Sequence, residues 1–154
     1  MTIRGTARED GGDFMQTTPE TILVVDDEPE VRSMVRDVLE TSGYTVLEAG
    51  DAIEAANVEA GEAGVIHLLL TDVIMPGLCG PDLARRLKPR RPRMKVIYMT
   101  AFSLVDLQNQ RVGLDPGVPI LPKPFPVDGL IRKVRDVLAA PAPSPSSPFA
   151  GSWR

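Results

Sequence analysis

VIHLLLTDVIMPGLCG, residues 65–80, holds the pattern that decides the fold. Val65 to Leu70 is nearly all apolar, which fits a strand buried on both faces rather than one with a wet side. Asp72 follows at its end, and Pro76, Gly77 and Gly80 then mark a loop. An acidic residue delivered by an apolar strand into a Pro/Gly loop raises two questions: whether similar strands flank it, and what their ends carry.

Toward the amino terminus, Ile22-Leu23-Val24-Val25 is a second short run of this kind. Pro29 then opens a helix, because its fixed φ and missing N–H cost nothing in the first turn. Val31, Met34, Val35, Val38 and Leu39 follow at helical spacing, and Gly43 stops that helix. Tyr44 to Leu47 reads as a strand and residues 51–60 as a helix rich in Ala and Glu. Toward the carboxyl terminus come a helix over 81–88, a strand over Val96–Met99, a weaker helix over 103–112, a strand over Val118–Leu121 and a helix over 127–139. Pro119 within the last strand points to a sheet edge, where one N–H need not pair. Five strands alternating with five helices imply a parallel sheet covered on both sides.

The 154-residue chain suits one domain. Residues 1–20 lack periodicity and read as a flexible arm, with Met15 as an alternative start. The domain itself spans 21–139. From 140 to 154 the chain is rich in Pro and Ser, the composition of a disordered tail with no output domain after it. A net charge of −4 argues against direct nucleic-acid binding. No apolar run reaches the length of a membrane span, and no signal-peptide shape opens the chain. The lone Cys79 excludes an internal disulfide and fits a reducing compartment, so a cytoplasmic protein is expected.

In an open parallel sheet, ligands bind outside the carboxyl ends of the strands. There the first strand delivers Asp26, Asp27 and Glu28, the third Asp72, the fourth Thr100, and the fifth Lys123 between Pro122 and Pro124. Carboxylates converging on one rim repel each other unless a cation intervenes. Mg²⁺ takes oxygen ligands and is held by one or two carboxylates plus phosphate oxygens. A carboxylate beside it can attack phosphorus and form an acyl phosphate. Lys123 supplies a point charge for the phosphoryl group and Thr100 a hydroxyl donor. Each residue also has a plainer reading: Asp26-Asp27-Glu28 as an acidic helix start, Asp72 as a turn former, Thr100 as a helix cap, Lys123 as a surface lysine. Their arrival at one rim in register outweighs these. His67, the only histidine, reads as structural, and Cys79 as a plain loop thiol.

ILVVDDEP (22–29), LLLTDVIMPGLCG (68–80), VIYMTAF (96–102) and ILPKPF (120–125) resemble, in order and spacing, the successive motifs of response-regulator receiver domains, the CheY-like superfamily of two-component signalling. The resemblance covers residues 21–139. It implies a flavodoxin-like doubly wound (βα)5 three-layer sandwich whose five-stranded parallel sheet has order 2-1-3-4-5. It implies Asp72 as phosphoacceptor. Asp27 becomes a metal ligand, Asp26 acts mainly through water or by shaping the site, and the Ile74 backbone carbonyl completes the Mg²⁺ shell. Thr100 and Lys123 bind the phosphoryl group, and a cis peptide lies between Lys123 and Pro124. The implied partners are a sensor histidine kinase or histidine phosphotransfer protein and a downstream effector protein. The chain itself would be a monomer or weak dimer, and would promote only its own phosphorylation and dephosphorylation rather than act as an enzyme.

Two departures matter. Many members carry an aromatic residue three positions before the lysine, whereas this chain has Ile120, so the signal is expected to travel through Thr100 and the loop at Ala101–Leu104. Ile74 and Phe102 flank the path of hydrolytic water, and their apolar bulk predicts a long-lived phospho-aspartate. The competing readings are an Mg²⁺-dependent phosphatase or phosphotransferase, a flavodoxin-like cofactor binder and a receiver segment of a hybrid histidine kinase. A haloacid-dehalogenase-type enzyme wants a second aspartate where Ile74 stands. A cofactor binder wants Ser, Thr and Gly where Asp26-Asp27-Glu28 stand. The Pro/Ser tail is compatible with the third.

Overall fold

A computed structural model describes residues 18–141. The arm expected over 1–20 lies outside these residues up to 17, and the tail expected over 140–154 lies outside them from 142. The elements are β1 (Thr21–Val25), α1 (Pro29–Thr41), β2 (Thr45–Ala49), α2 (Ala52–Gly61), β3 (Leu68–Asp72), α3 (Gly80–Leu87), β4 (Lys95–Thr100), α4 (Leu104–Asn109), β5 (Ile120–Pro122) and α5 (Val127–Ala139). All strand pairs are parallel, in the order β2-β1-β3-β4-β5. This is the flavodoxin-like sandwich expected.

Side chains alternate across a strand, so each inner strand feeds two cores. Ile22, Val24, Leu68, Leu70, Ile97 and Met99 point to one face, where α1 and α5 cover them with Val35, Leu39, Leu130 and Val134. Leu23, Val25, Leu69, Val96 and Tyr98 point to the other, against Ala52, Ala55, Leu83, Ala84, Leu87 and Leu107 of α2, α3 and α4. Burial on both sides explains the apolar runs 22–25, 68–70 and 96–99 within β1, β3 and β4. Truncating a fully buried member such as Leu39 to Ala costs about 2–5 kcal/mol. Gly43, at φ +98°, turns the chain out of α1, a conformation that glycine adopts without steric cost.

Several expected boundaries need correction. The third strand was expected over Val65–Leu70 but runs over Leu68–Asp72, because its pairing with β1 begins only at Ile22–Leu68 and continues to Asp72 opposite Met99 on β4. The second strand extends past Leu47 to Ala49, paired with Val25. The fourth helix is shorter than 103–112: Ser103 and Asp106 form a capping box at its start, and Arg111 at φ +59° lies just beyond its end. The fifth strand is Ile120–Pro122 rather than Val118–Leu121. Pro119 precedes it, its carbonyl accepting from the Tyr98 N–H, and the strand does lie at a sheet edge. Among the described residues no helix is long and apolar enough to cross a membrane.

Candidate functional site

Asp26 follows β1 at the carboxyl rim of the sheet. It is fully buried, and four contacts fix it. Its N–H donates to the Ala49 carbonyl (3.2 Å), and its carbonyl accepts from Arg32 Nη1 (2.6 Å). Its Oδ1 accepts the Glu28 N–H (2.9 Å) and its Oδ2 accepts from Lys123 Nζ (2.8 Å). Asp27, next along the chain, is exposed. Asp72 ends β3 and is 7% exposed. One carboxylate oxygen from each of Asp26, Asp27 and Asp72 lies within 4.8 Å of the others. The three acidic residues expected to converge do converge.

Lys123 sits among them just past β5. Besides Asp26, its Nζ reaches Asp72 Oδ2 at 3.2 Å and Glu28 Oε1 at 3.3 Å. The Lys123–Pro124 peptide is cis. Burial alone would lower the Lys123 pKa, but its bonds to Asp26 and Asp72 and their charges outweigh that and raise it. Burial pushes Asp72 up to about 6. Lys123 opposes this, while the charges of Asp26 and Asp27 add to it. Three carboxylates thus face one ammonium, and the acid that must ionise is held back by burial and by like charge. A hard divalent cation suits this donor set, since it offers carboxylate oxygens alone and a divalent charge would relieve both effects.

Thr100 ends β4 and is 4% exposed. Its Oγ1 accepts the Phe102 N–H at 3.0 Å, so it does not cap the helix that follows; Ser103 does. Ile74 lies two residues beyond Asp72, and its half-buried side chain packs against the α2–α3–α4 core, so its expected contribution to a metal shell is through the main chain only. Phe102 is 40% exposed. The loop from Asp72 to α3 is closed by the Gly80 N–H on the Val73 carbonyl (2.9 Å). A Cβ on Gly80 would lie 2.3 Å from the Asp72 carbonyl oxygen, so only glycine fits there.

Other residues are placed as follows. His67 Nδ1 accepts the Thr21 N–H at 2.9 Å, a structural role at the amino end of the sheet. Cys79 is a free thiol at the start of α3, its Sγ 3.3 Å from Asp82 Oδ2. Tyr98 is fully buried and stands opposite Ile120 across the β4–β5 pair, beside the position where an aromatic was missing. Two site neighbours were not singled out from the sequence as contacts: Glu28 on Lys123, and Arg32 on the Asp26 carbonyl. Arg32 lies three residues past Pro29, so one turn of helix returns it toward the β1 loop, and that spacing was the available signal.

A family model described as response regulator receiver domain matches residues 22–135, and the chain belongs to that family. It is a receiver domain of two-component signalling. Among curated proteins it is 33% identical over 118 residues to the sensor kinase CckA of Brucella abortus, covering 77% of this chain and 12% of that protein. It is 38% identical over 119 residues to the response regulator MprA of Mycobacterium ulcerans, covering 76% and 49%. The chain thus spans half or less of the length of these two relatives. Among solved structures, the receiver domain of the hybrid histidine kinase CckA matches with a TM-score of 0.65 at 36% identity, covering 77% of this chain and 98% of that one. A response regulator from Thermotoga maritima matches with a TM-score of 0.65 at 27% identity, covering 79% and 99%. Receiver domains bind Mg²⁺ at an acidic pocket and interact with histidine kinases or phosphotransfer proteins, and the aspartate cluster here fits such a pocket.

Proposed function

We propose that Asp72 takes a phosphoryl group from the phosphohistidine of a sensor kinase or phosphotransfer protein, and that the phosphorylated domain then engages a downstream effector protein. The observation that carries this reading is Lys123 Nζ lying between Asp26 and Asp72, with Asp27 beside them, at the ends of separate strands. Asp27, Asp72 and the Ile74 carbonyl would hold Mg²⁺, with Asp26 acting through water or by shaping the site. The ion would supply charge neutralisation for the phosphoryl oxygens and for the acid cluster.

An Asp72 carboxylate oxygen attacks phosphorus in line with the leaving imidazole nitrogen. The P–N bond breaks, its electron pair returns to the imidazole, and an acyl phosphate remains on Asp72. The Lys123 ammonium then offsets the incoming charge, exchanging part of its contact with Asp26 and Asp72 for a phosphoryl oxygen. The Thr100 hydroxyl turns to donate to another oxygen and lets go of the Phe102 N–H. That exchange frees the Ala101–Leu104 loop and is the start of the output signal. The domain promotes only its own phosphorylation and dephosphorylation. Ile74 stands where a phosphatase using an aspartate nucleophile would need a second acid, which disfavours that enzyme class. The free Cys79 suits the reducing cytoplasm in which the exchange would take place.

Incubation with Mg²⁺ and acetyl phosphate, followed by intact-mass measurement, tests the reading. The parent gains one phosphoryl group and Asp72→Ala gains none. A parent without the gain, or an Asp72→Ala variant that keeps it, overturns the assignment.

A further inference from the structure

We infer that Arg32 is a positioning residue for the acidic pair: it fixes the peptide between Asp26 and Asp27, and so sets where the Asp27 carboxylate lies. The inference rests on the Mg²⁺ site proposed above. Arg32 leaves the first turn of α1. Its Nη1 donates to the Asp26 carbonyl at 2.6 Å, and its Nε lies 3.5 Å from Glu48 Oε1 on β2. On the other side of the same residue, the Asp26 N–H is tied to Ala49, also on β2. Both peptide units flanking Asp26 are therefore anchored to the neighbouring strand, one directly and one through the guanidinium.

A peptide unit is rigid and planar, so holding the Asp26 carbonyl holds the Asp27 N–H and Cα with it. This matters more for Asp27 than for Asp26. The Asp26 carboxylate has its own partners in the Glu28 N–H and Lys123. The Asp27 carboxylate has no hydrogen bond among the described residues, so its aim depends on the backbone that carries it. Gly50 gives the guanidinium its place: a Cβ there would lie 3.3 Å from Arg32 Nη1 and 3.3 Å from Glu54 Oε1. Arg36, one turn further along α1, supplies an internal control. It meets the same Glu48, Nη1 to Oε2 at 3.0 Å, but is not tied to Asp26.

The test is calorimetric titration of Mg²⁺ into the unphosphorylated full chain, for the parent, Arg32→Ala, Arg32→Lys and Arg36→Ala, with thermal melts to verify folding. Groups that orient a metal ligand change affinity by about 10- to 100-fold when removed. Arg32→Ala is expected to weaken Mg²⁺ binding by at least about tenfold, Arg32→Lys to recover part of that loss, and Arg36→Ala to bind as the parent does. With acetyl phosphate, the Mg²⁺ needed for half-maximal phosphorylation should rise in parallel. Should Arg32→Ala fail to fold, Arg32→Gln and Gly50→Ala, which crowds the guanidinium, are titrated in its place and are expected to weaken binding in the same direction. Parent-like Mg²⁺ affinity in the folded Arg32 variants overturns the inference, as does an equal loss in Arg36→Ala, which would trace the effect to α1–β2 packing. A parent that binds Mg²⁺ but gains no phosphoryl group overturns the functional reading and leaves the role of Arg32 standing. A parent that binds no Mg²⁺ overturns both.

Discussion

The Lys123 main-chain N–H donates to the Thr100 main-chain carbonyl at 2.8 Å, so the two groups proposed to grip the phosphoryl oxygens are joined through one rung between β4 and the end of β5. Their side chains differ in what they now touch: Lys123 is among the carboxylates, while Thr100 Oγ1 holds the Phe102 N–H. The two should therefore fail differently. Lys123→Gln loses a charged hydrogen bond of about 1.5–3 kcal/mol, which slows phosphorylation by acetyl phosphate roughly 10- to 100-fold. Thr100→Val should still accept the phosphoryl group but leave the Phe102 amide without its acceptor, so hydrogen exchange there speeds up before any phosphate is added. Unchanged exchange at Phe102 would contradict this division of roles.

Burial, aided by the charges of Asp26 and Asp27, holds the Asp72 carboxyl up at about 6 against an ordinary 3.8. Between those values the native chain keeps the proton more than the unfolded chain, so stability falls as pH rises through that window. The penalty is complete above it and absent below it. In metal-free buffer Asp72→Asn should therefore be more stable than the parent near neutral pH, by roughly 1–3 kcal/mol, with the gap closing toward pH values under the ordinary carboxylate range. Denaturant melts at several pH values measure this, and a gap independent of pH would refute it.

Gly80 is pressed against the main chain of the phosphoacceptor. A methyl group there would meet the Asp72 carbonyl oxygen at 2.3 Å and its carbon at 3.2 Å, and backbone cannot step aside as a flexible side chain can. Gly80→Ala should destabilise the fold by about 1–3 kcal/mol and slow phosphorylation by moving Asp72 off Lys123. A variant with both parent-like melting and parent-like rate would show that the loop absorbs the methyl.

Ile74 and the part-exposed Phe102 follow Asp72 and Thr100 by two residues each, and we propose that these two positions flank the path of the attacking water. Replacing either with a hydrogen-bonding residue gives that water a partner worth about 1 kcal/mol, which corresponds to roughly fivefold faster loss of phosphate. Ile74→Asn and Phe102→Glu should each shorten the phosphoryl lifetime, followed by intact mass after removal of the donor. Unchanged or slower decay in both would remove the idea.

The rim was legible in the sequence because three apolar strands ended in acids or a hydroxyl, and Asp26, Asp72 and Thr100 stand where those endings put them. Strand order was not legible from periodicity. Nothing in Tyr44–Leu47 states that it pairs outside β1, and the order came with the family resemblance. Ends of elements misled for physical reasons. Val65 is apolar yet 63% exposed, because β3 has not yet met its neighbours there. Thr71 and Asp72 are polar yet still paired in the strand. Contacts made across the fold left no local trace. Among the described residues the buried Tyr98 hydroxyl and Asp115 Oδ2 have no hydrogen-bond partner, while Asp115 Oδ1 lies 3.6 Å from Arg85 Nη2. The Arg90 and Arg91 pairs on the buried Glu59 bind α2 to the turn that follows α3, and no spacing rule joins residues so far apart.

Lys95, the first residue of β4, reaches across to the last turn of α5, where its Nζ donates to the carbonyls of Val137, Leu138 and Ala140. It thereby caps from outside a helix whose own last turn carries no basic residue. This pin lies at the foot of the same strand that presents Thr100 at its top. A spin label attached at Ala140 would therefore tumble with the sheet, and its spectrum would track β4 itself.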